Sequence, residues 1–211
     1  MLVPGLISFK SRNYDIRRAD DIARTVSKIF PVISSSKLSS LPKAELFTNR
    51  INQLHKKLVK TRINCIKALS SFNIDVYPKD KILNFLKIIK NDRLGNCDEM
   101  TNLAMIFTYL RCIKDTSVAD IKNTADEHLD HVVLYVENGK KPYIIDPWLG
   151  FADYLSNAIQ RYKSEFSYIF PFEKAKSQKF MFNKYNYTCD ARKALDKCNW
   201  KELYEIKKQI T

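Results

Sequence analysis

Apolar residues recur at helical spacing along much of the chain. Ile22, Ala23, Val26 and Ile29 share one face of a helix over residues 20–30, which Pro31 ends. Ahead of it, residues 1–15 read as irregular, with Pro4 and Gly5 early. Ser34–Ser36 with Ser39-Ser40 mark a loop, and a boundary falls near residue 42. Leu46, Ile51, Leu54, Leu58, Ile63, Ile66 and Leu69 predict a long helix from Pro42 to about Phe72. Pro78 precedes a helix over about 79–90 that turns Ile82, Phe85, Leu86 and Ile89 inward. From Cys97, the residues Met100, Leu103, Ala104, Phe107 and Leu110 again keep helical spacing.

Beyond residue 115 the pattern changes. Thr116–Thr124 is β-prone and suits a first strand, and residues 126–130 are polar and read as a loop. Two apolar runs follow, Val132–Val136 and Tyr143–Ile145, with Asn138-Gly139 between them. Phe151–Tyr162 resembles an amphipathic helix, Phe166–Phe172 and Phe180–Tyr187 suit strands with Pro171 at a bend, and Lys193–Ile210 closes the chain as a charged helix. The whole reads as α+β: helices packed on an antiparallel sheet. Residues 1–75 form a helical segment packed on a core of residues 76–211. No repeat or low-complexity tract occurs.

The hairpin carries the first piece of chemistry. A two-residue type I′ turn at Asn138-Gly139 pairs Glu137 with Lys140 and sets His131 directly opposite Asp146. Opposed Cβ atoms lie about 5 Å apart, within reach of an imidazole–carboxylate hydrogen bond. Val133, Tyr135 and Ile144 share that face. Pro142 fits poorly, because this register puts it opposite Tyr135, where its missing N–H loses a ladder bond. A bulge, or a longer loop through Lys140-Lys141, would shift the register.

The second piece is Cys97. Gly95-Asn96 reads as a turn, which brings the thiol to a helix start, where the backbone dipole and a nearby imidazolium both favour thiolate. Amides at that terminus can stabilise an oxyanion, and Asn91 and Asn96 are candidate side-chain donors. Asp98 and Glu99 suit a first helical turn but oppose a thiolate, so His131 has to supply much of the activation. In combination, Cys97 is the nucleophile, His131 the general acid/base and Asp146 the group that orients the ring. A lone cysteine at a helix start is usually structural and an Asp-Pro is usually a turn; order and spacing favour the chemical reading. His128 competes with His131, but it precedes the apolar run and lacks the pairing with Asp146. His55, among lysines on the long helix, reads as a surface residue.

Composition narrows the classes. Hydrophobic residues make up 45% of the 211, enough for a real core. The net charge of +13 permits contact with an anionic membrane surface or an acidic protein. Lysines and arginines are spread along the chain without zinc-finger, helix-turn-helix or RNA-binding signatures, so nucleic acid is not the expected partner. Five cysteines, Cys65, Cys97, Cys112, Cys189 and Cys198, form no framework of pairs and point to a reducing compartment. Cys65 and Cys112 sit in helical apolar patterns as core thiols. With no CxxC and three histidines, no metal site is expected, and the chemistry requires no cofactor. No stretch reaches the roughly 20 apolar residues of a membrane span, and Met1–Phe9 makes a poor secretory signal.

Gly95-x-Cys97-x-Glu99 at a helix start, His131 opening a strand and Asp146 on the next strand together resemble the transglutaminase-like, papain-like cysteine superfamily. Asp146-x-Trp148 is similar to the papain pattern, in which a tryptophan shields the pair. The compact spacing looks most like the catalytic domain of the Pasteurella mitogenic toxin and related Salmonella-type bacterial effectors. The resemblance covers about residues 95–150. It implies a papain-like core and a protein glutamine deamidase delivered from a bacterium into host cytoplasm. It also implies a host signalling protein as substrate, such as a G-protein α subunit. A cysteine protease, a transglutaminase and a non-catalytic binding module with a vestigial triad remain alternatives. Arylamine N-acetyltransferases share the triad but carry Arg-Gly-Gly where this chain has Arg93-Leu94-Gly95-Asn96.

Overall fold

A computed structural model describes residues 4–29, 48–70, 75–123, 126–169, 180–184 and 189–210. Its elements are α1 (Pro4–Ile29), α2 (Thr48–Leu69), α3 (Pro78–Asp92), α4 (Cys97–Leu110), β1 (Thr116–Asn123), β2 (Asp126–Val136), β3 (Tyr143–Asp146), β4 (Phe151–Tyr154), α5 (Leu155–Ile169), β5 (Phe180–Lys184), α6 (Asp190–Leu195) and α7 (Trp200–Ile210). The class is α+β. The five strands form one sheet in the order β4-β3-β2-β1-β5, every neighbour antiparallel.

The core joins helices to the sheet. Ala19, Ile22, Ala23 and Val26 of α1 are fully buried, as their spacing requires, together with Ile82, Phe85 and Ile89 of α3. In α4 the residues from Met100 to Thr108 are nearly all buried, so this helix runs through the interior. Each valine, leucine, isoleucine, methionine or phenylalanine among them stabilises the fold by roughly 1.5–3 kcal/mol on removal from water. Against them pack Val133, Leu134, Val136, Ile144 and Ile145 of the sheet. The Asp20 carboxylate accepts from the Ala152 N–H at 3.0 Å, which ties α1 to the edge strand β4.

Several expectations change. Residues 4–15 are helical rather than irregular, since a proline costs nothing in a first turn whose N–H groups lack helical partners anyway. The long central helix is described over Thr48–Leu69; the serine loop, the boundary near 42 and the ends of that helix at 42–47 and 72 lie outside the described residues. The polar stretch from Asp126 is strand, not loop, because its backbone pairs with β1 across an irregular register near Asn123. The expected helix from Phe151 is first a strand: β4 pairs with β3 before α5 begins at Leu155. Phe166–Ile169 continues α5 rather than forming a strand, Pro171 lies outside the described residues, and β5 is described to Lys184. The closing helix is two helices. The Asn199 side chain accepts from the Lys201 and Glu202 N–H groups and its own N–H donates to Glu202, so a fresh cap starts α7. Cys65 is buried, but Cys112 is exposed just past the end of α4, with φ 56°, and is not a core thiol.

The hairpin register also differs. Val136 pairs with Tyr143, Tyr135 with Ile144 and Leu134 with Ile145. Residues 137–142 therefore make the loop, and Asn138-Gly139 is not a two-residue turn. The cause is Pro142. With no N–H to donate it is left out of the ladder, which begins one residue later. The longer loop moves each β2 partner by two residues, and an even shift keeps every side chain on its face. Continuing this register, Asp146 sits beside Val133, diagonal to His131 and still on the same face.

Candidate active site

α3 ends at Arg93 in left-handed backbone, φ 51°, its N–H still bonded to the Ile89 carbonyl. This reverses the chain through buried Leu94 and Gly95. Asn96 takes extended backbone as the N-cap of α4, and the Glu99 carboxylate folds back to its N–H at 2.8 Å. Cys97 is therefore the first residue of the helix, half-buried, next to N–H groups that have no carbonyl within the helix. The acidic first turn is partly answered by Arg62 of α2, which pairs with Asp98 and lies 4.0 Å from Glu99. Burial, reinforced by Asp98, holds the Glu99 carboxyl above its ordinary value against the Asn96 N–H and Arg62.

His131 lies on β2 opposite Ile121 and is 4% exposed. Its Nε2 is 2.7 Å from Asp146 Oδ2. The ring also hydrogen-bonds the Cys97 side chain. Three side chains from α4, β2 and β3 thus meet in sequence: sulfur, imidazole, carboxylate. The predicted pairing of His131 with Asp146 forms as a diagonal contact rather than a directly opposed one.

Asp146 closes β3 with its side chain fully buried. Oδ1 accepts from the Trp148 and Leu149 N–H groups at 2.9 Å each. This local aspartate turn arises because the short side chain reaches amides two and three residues on. Oδ2 accepts from the Tyr162 hydroxyl at 2.7 Å as well as from His131. The Trp148 ring lies 5.2 Å from the His131 ring, tilted by 53°, and the Tyr162 ring lies 6.1 Å away, edge-on at 70°. Both rings keep the imidazole–carboxylate contact dry, where charge–charge attraction is strongest.

These contacts set the protonation states. Burial pushes the imidazolium down, but the Asp146 charge and hydrogen bond and the hydrogen bond to Cys97 outweigh it and raise His131 to about 10. Burial pushes the Asp146 carboxyl up, and the charge and hydrogen bond of His131, with Leu149 N–H and Tyr162, more than reverse it, leaving it below its ordinary value. At neutral pH the pair is imidazolium and carboxylate. Elsewhere, burial pushes the Cys65 thiol up to about 12 and Cys189 to about 11, so both stay protonated.

Of the other candidates, Asn96 immediately precedes Cys97, whereas Asn91 is exposed in the last turn of α3. His55 is exposed on α2. His128 belongs to β2, and its side chain lies outside the described residues. A cavity of about 320 Å³ opens beside the first turn of α4, between Arg62, Asp98, Glu99, Thr101 and Asp190. Tyr162 and Arg62 were not singled out from sequence. Tyr162 does carry a signal: it lies four residues after buried Ala158 on the inward face of α5, and a buried tyrosine hydroxyl needs a partner. Among the described residues no three His, Cys, Asp or Glu side chains are grouped to hold a metal ion, and no helix is long and apolar enough to cross a membrane. The chain matches no protein-family model, no curated protein and no solved structure.

Proposed function

We propose that the protein is a cysteine hydrolase acting on amide bonds, with Cys97 as nucleophile, His131 as general acid/base and Asp146 as orienting group. The favoured activity is that of a bacterial effector-type protein glutamine deamidase on a papain-like, transglutaminase-like core. Trp148 shields the pair, and the substrate is a host signalling protein such as a G-protein α subunit. The reading rests on one contact, the 2.7 Å bond of His131 to Asp146, supported by the electrostatic coupling of the same ring to Cys97 at the start of α4.

The chemistry follows from that fact. The sulfur, as thiolate beside an imidazolium, attacks the side-chain carbonyl carbon of a glutamine. Its oxygen gains charge and takes N–H donors from the first turn of α4, with Asn96 or Asn91 as a further donor. His131 gives its proton to the departing nitrogen, ammonia leaves, and a thioester remains. The neutral ring then takes a proton from water, hydroxide adds to the thioester, and glutamate and Cys97 are released. Asp146 holds the ring in one tautomer throughout.

A protease or a transglutaminase would use the same three groups and differ in what resolves or delivers the acyl group. Intact-mass analysis of candidate host proteins separates them: a gain of about one dalton, a cleavage, or a crosslink. A thiol-directed probe at mildly acidic pH tests the shared premise. Cys97 should be labelled well ahead of Cys65 and Cys189, and Cys97→Ala should remove that labelling with the unfolding midpoint little changed. Equal labelling of all three cysteines would sink the proposal.

A further inference from the structure

The outward face of α7 has a composition that the chemistry of Cys97 does not use. Leu203, Ile206 and Ile210 turn inward and pack on the core. At 100° per residue, Trp200, Tyr204 and Lys208 form a stripe that runs from the flank of the helix to the face opposite the core, with Lys201 beside it. Trp200 is 72% and Tyr204 56% exposed, large apolar surfaces to leave in water. A lysine ammonium stands over each ring, Lys201 at 5.7 Å from Trp200 and Lys208 at 4.6 Å from Tyr204. Of the helix's two acids, Glu202 accepts from the Asn199 N–H, and Glu205, which borders the stripe near Lys208, pairs with Lys79 at 2.8 Å. The stripe is aromatic and cationic, with no acid in it.

We propose that this face of α7 docks on an anionic lipid surface, with Trp200 and Tyr204 at headgroup depth and Lys201 and Lys208 on lipid phosphates. Indole and phenol rings favour the membrane–water interface, where one end is apolar and the other wet. Lysines beside them extend toward anionic headgroups, and the chain's +13 charge adds attraction over the same range. The convex helix face offers no groove to track a nucleic-acid backbone and carries no arginine, which favours a plane of lipid. This docking is independent of the amide chemistry proposed for Cys97.

The test is sedimentation of the full chain with phosphatidylcholine vesicles, with and without phosphatidylserine. Binding is expected on the anionic vesicles alone. Trp200→Ala with Tyr204→Ala should abolish it, and Lys201→Ala and Lys208→Ala should each weaken it about fivefold. Bound protein should show blue-shifted tryptophan emission that Trp200→Phe removes, because the other tryptophan, Trp148, is already buried. These side chains are exposed, so unchanged urea midpoints will show that the variants are folded. Absence of binding, equal binding to neutral vesicles, or binding that survives Trp200→Ala with Tyr204→Ala would overturn the proposal. So would duplex DNA that needs the same residues while vesicles do not bind.

Discussion

Asp146 accepts four hydrogen bonds, from His131, Tyr162, Trp148 and Leu149, which uses the acceptor capacity of an ionised carboxylate and leaves no room for a proton. Such saturation is what allows a fully buried acid to stay charged. Tyr162→Phe removes one donor without changing shape. It should cost roughly 1.5–3 kcal/mol, read as a lower urea midpoint, and should slow thiol labelling of Cys97. Asp146→Asn removes the charge but keeps the volume. Burial then acts on the ring without its main opponent, so the His131 titration followed by NMR should fall well below about 10, with only the Cys97 contact still raising it. A His131 titration left near 10 in that variant would show that Asp146 is not what holds the proton.

At the level of strands and turns, Pro142 has more influence than Asn138-Gly139. A missing N–H excludes Pro142 from the ladder and lengthens the loop, whereas an Asn-Gly pair only makes a tight turn easy to form. The shift by two residues changed partners without changing faces, which is why the His131–Asp146 contact outlived the wrong register. The two positive-φ glycines differ in a testable way. Gly139 has φ 53° and open space where a Cβ would project, so Gly139→Ala adds only backbone strain, about 1 kcal/mol. Gly150 has φ 74°, and a Cβ there would meet Ser27 Oγ at 3.2 Å. Gly150→Ala should therefore lower the urea midpoint more than Gly139→Ala does, since α1 packs against that turn and must move as well.

For the protein as a whole, the buried pair makes stability depend on pH. His131 is raised above its unfolded value of 6.5, so its contribution is complete below 6.5 and lost as the pH climbs through about 10. Asp146 is lowered below 3.8, so its contribution is complete above that value and lost as the pH falls further. The pair supports the fold best between 3.8 and 6.5. The urea midpoint should fall between about pH 6.5 and about pH 10, and the fall should be smaller in Asp146→Asn, which lacks the raised histidine.

Much of this was legible in the chain. Apolar spacing located α3, α4 and the inward faces of α1, because a helix must bury one side wherever it packs, and β-propensity located β1. Period-two alternation put His131 and Asp146 on one face, a property that survives any even change of register. Less legible was whatever depends on a distant partner. Residues 126–130 and 151–154 are strands because neighbouring backbone offers them a ladder, whatever their own preference. Tyr162 reaches Asp146 from 16 residues away and Arg62 reaches Asp98 from 36. Contacts of that kind depend on how separate elements settle against one another, and local periodicity holds no record of it.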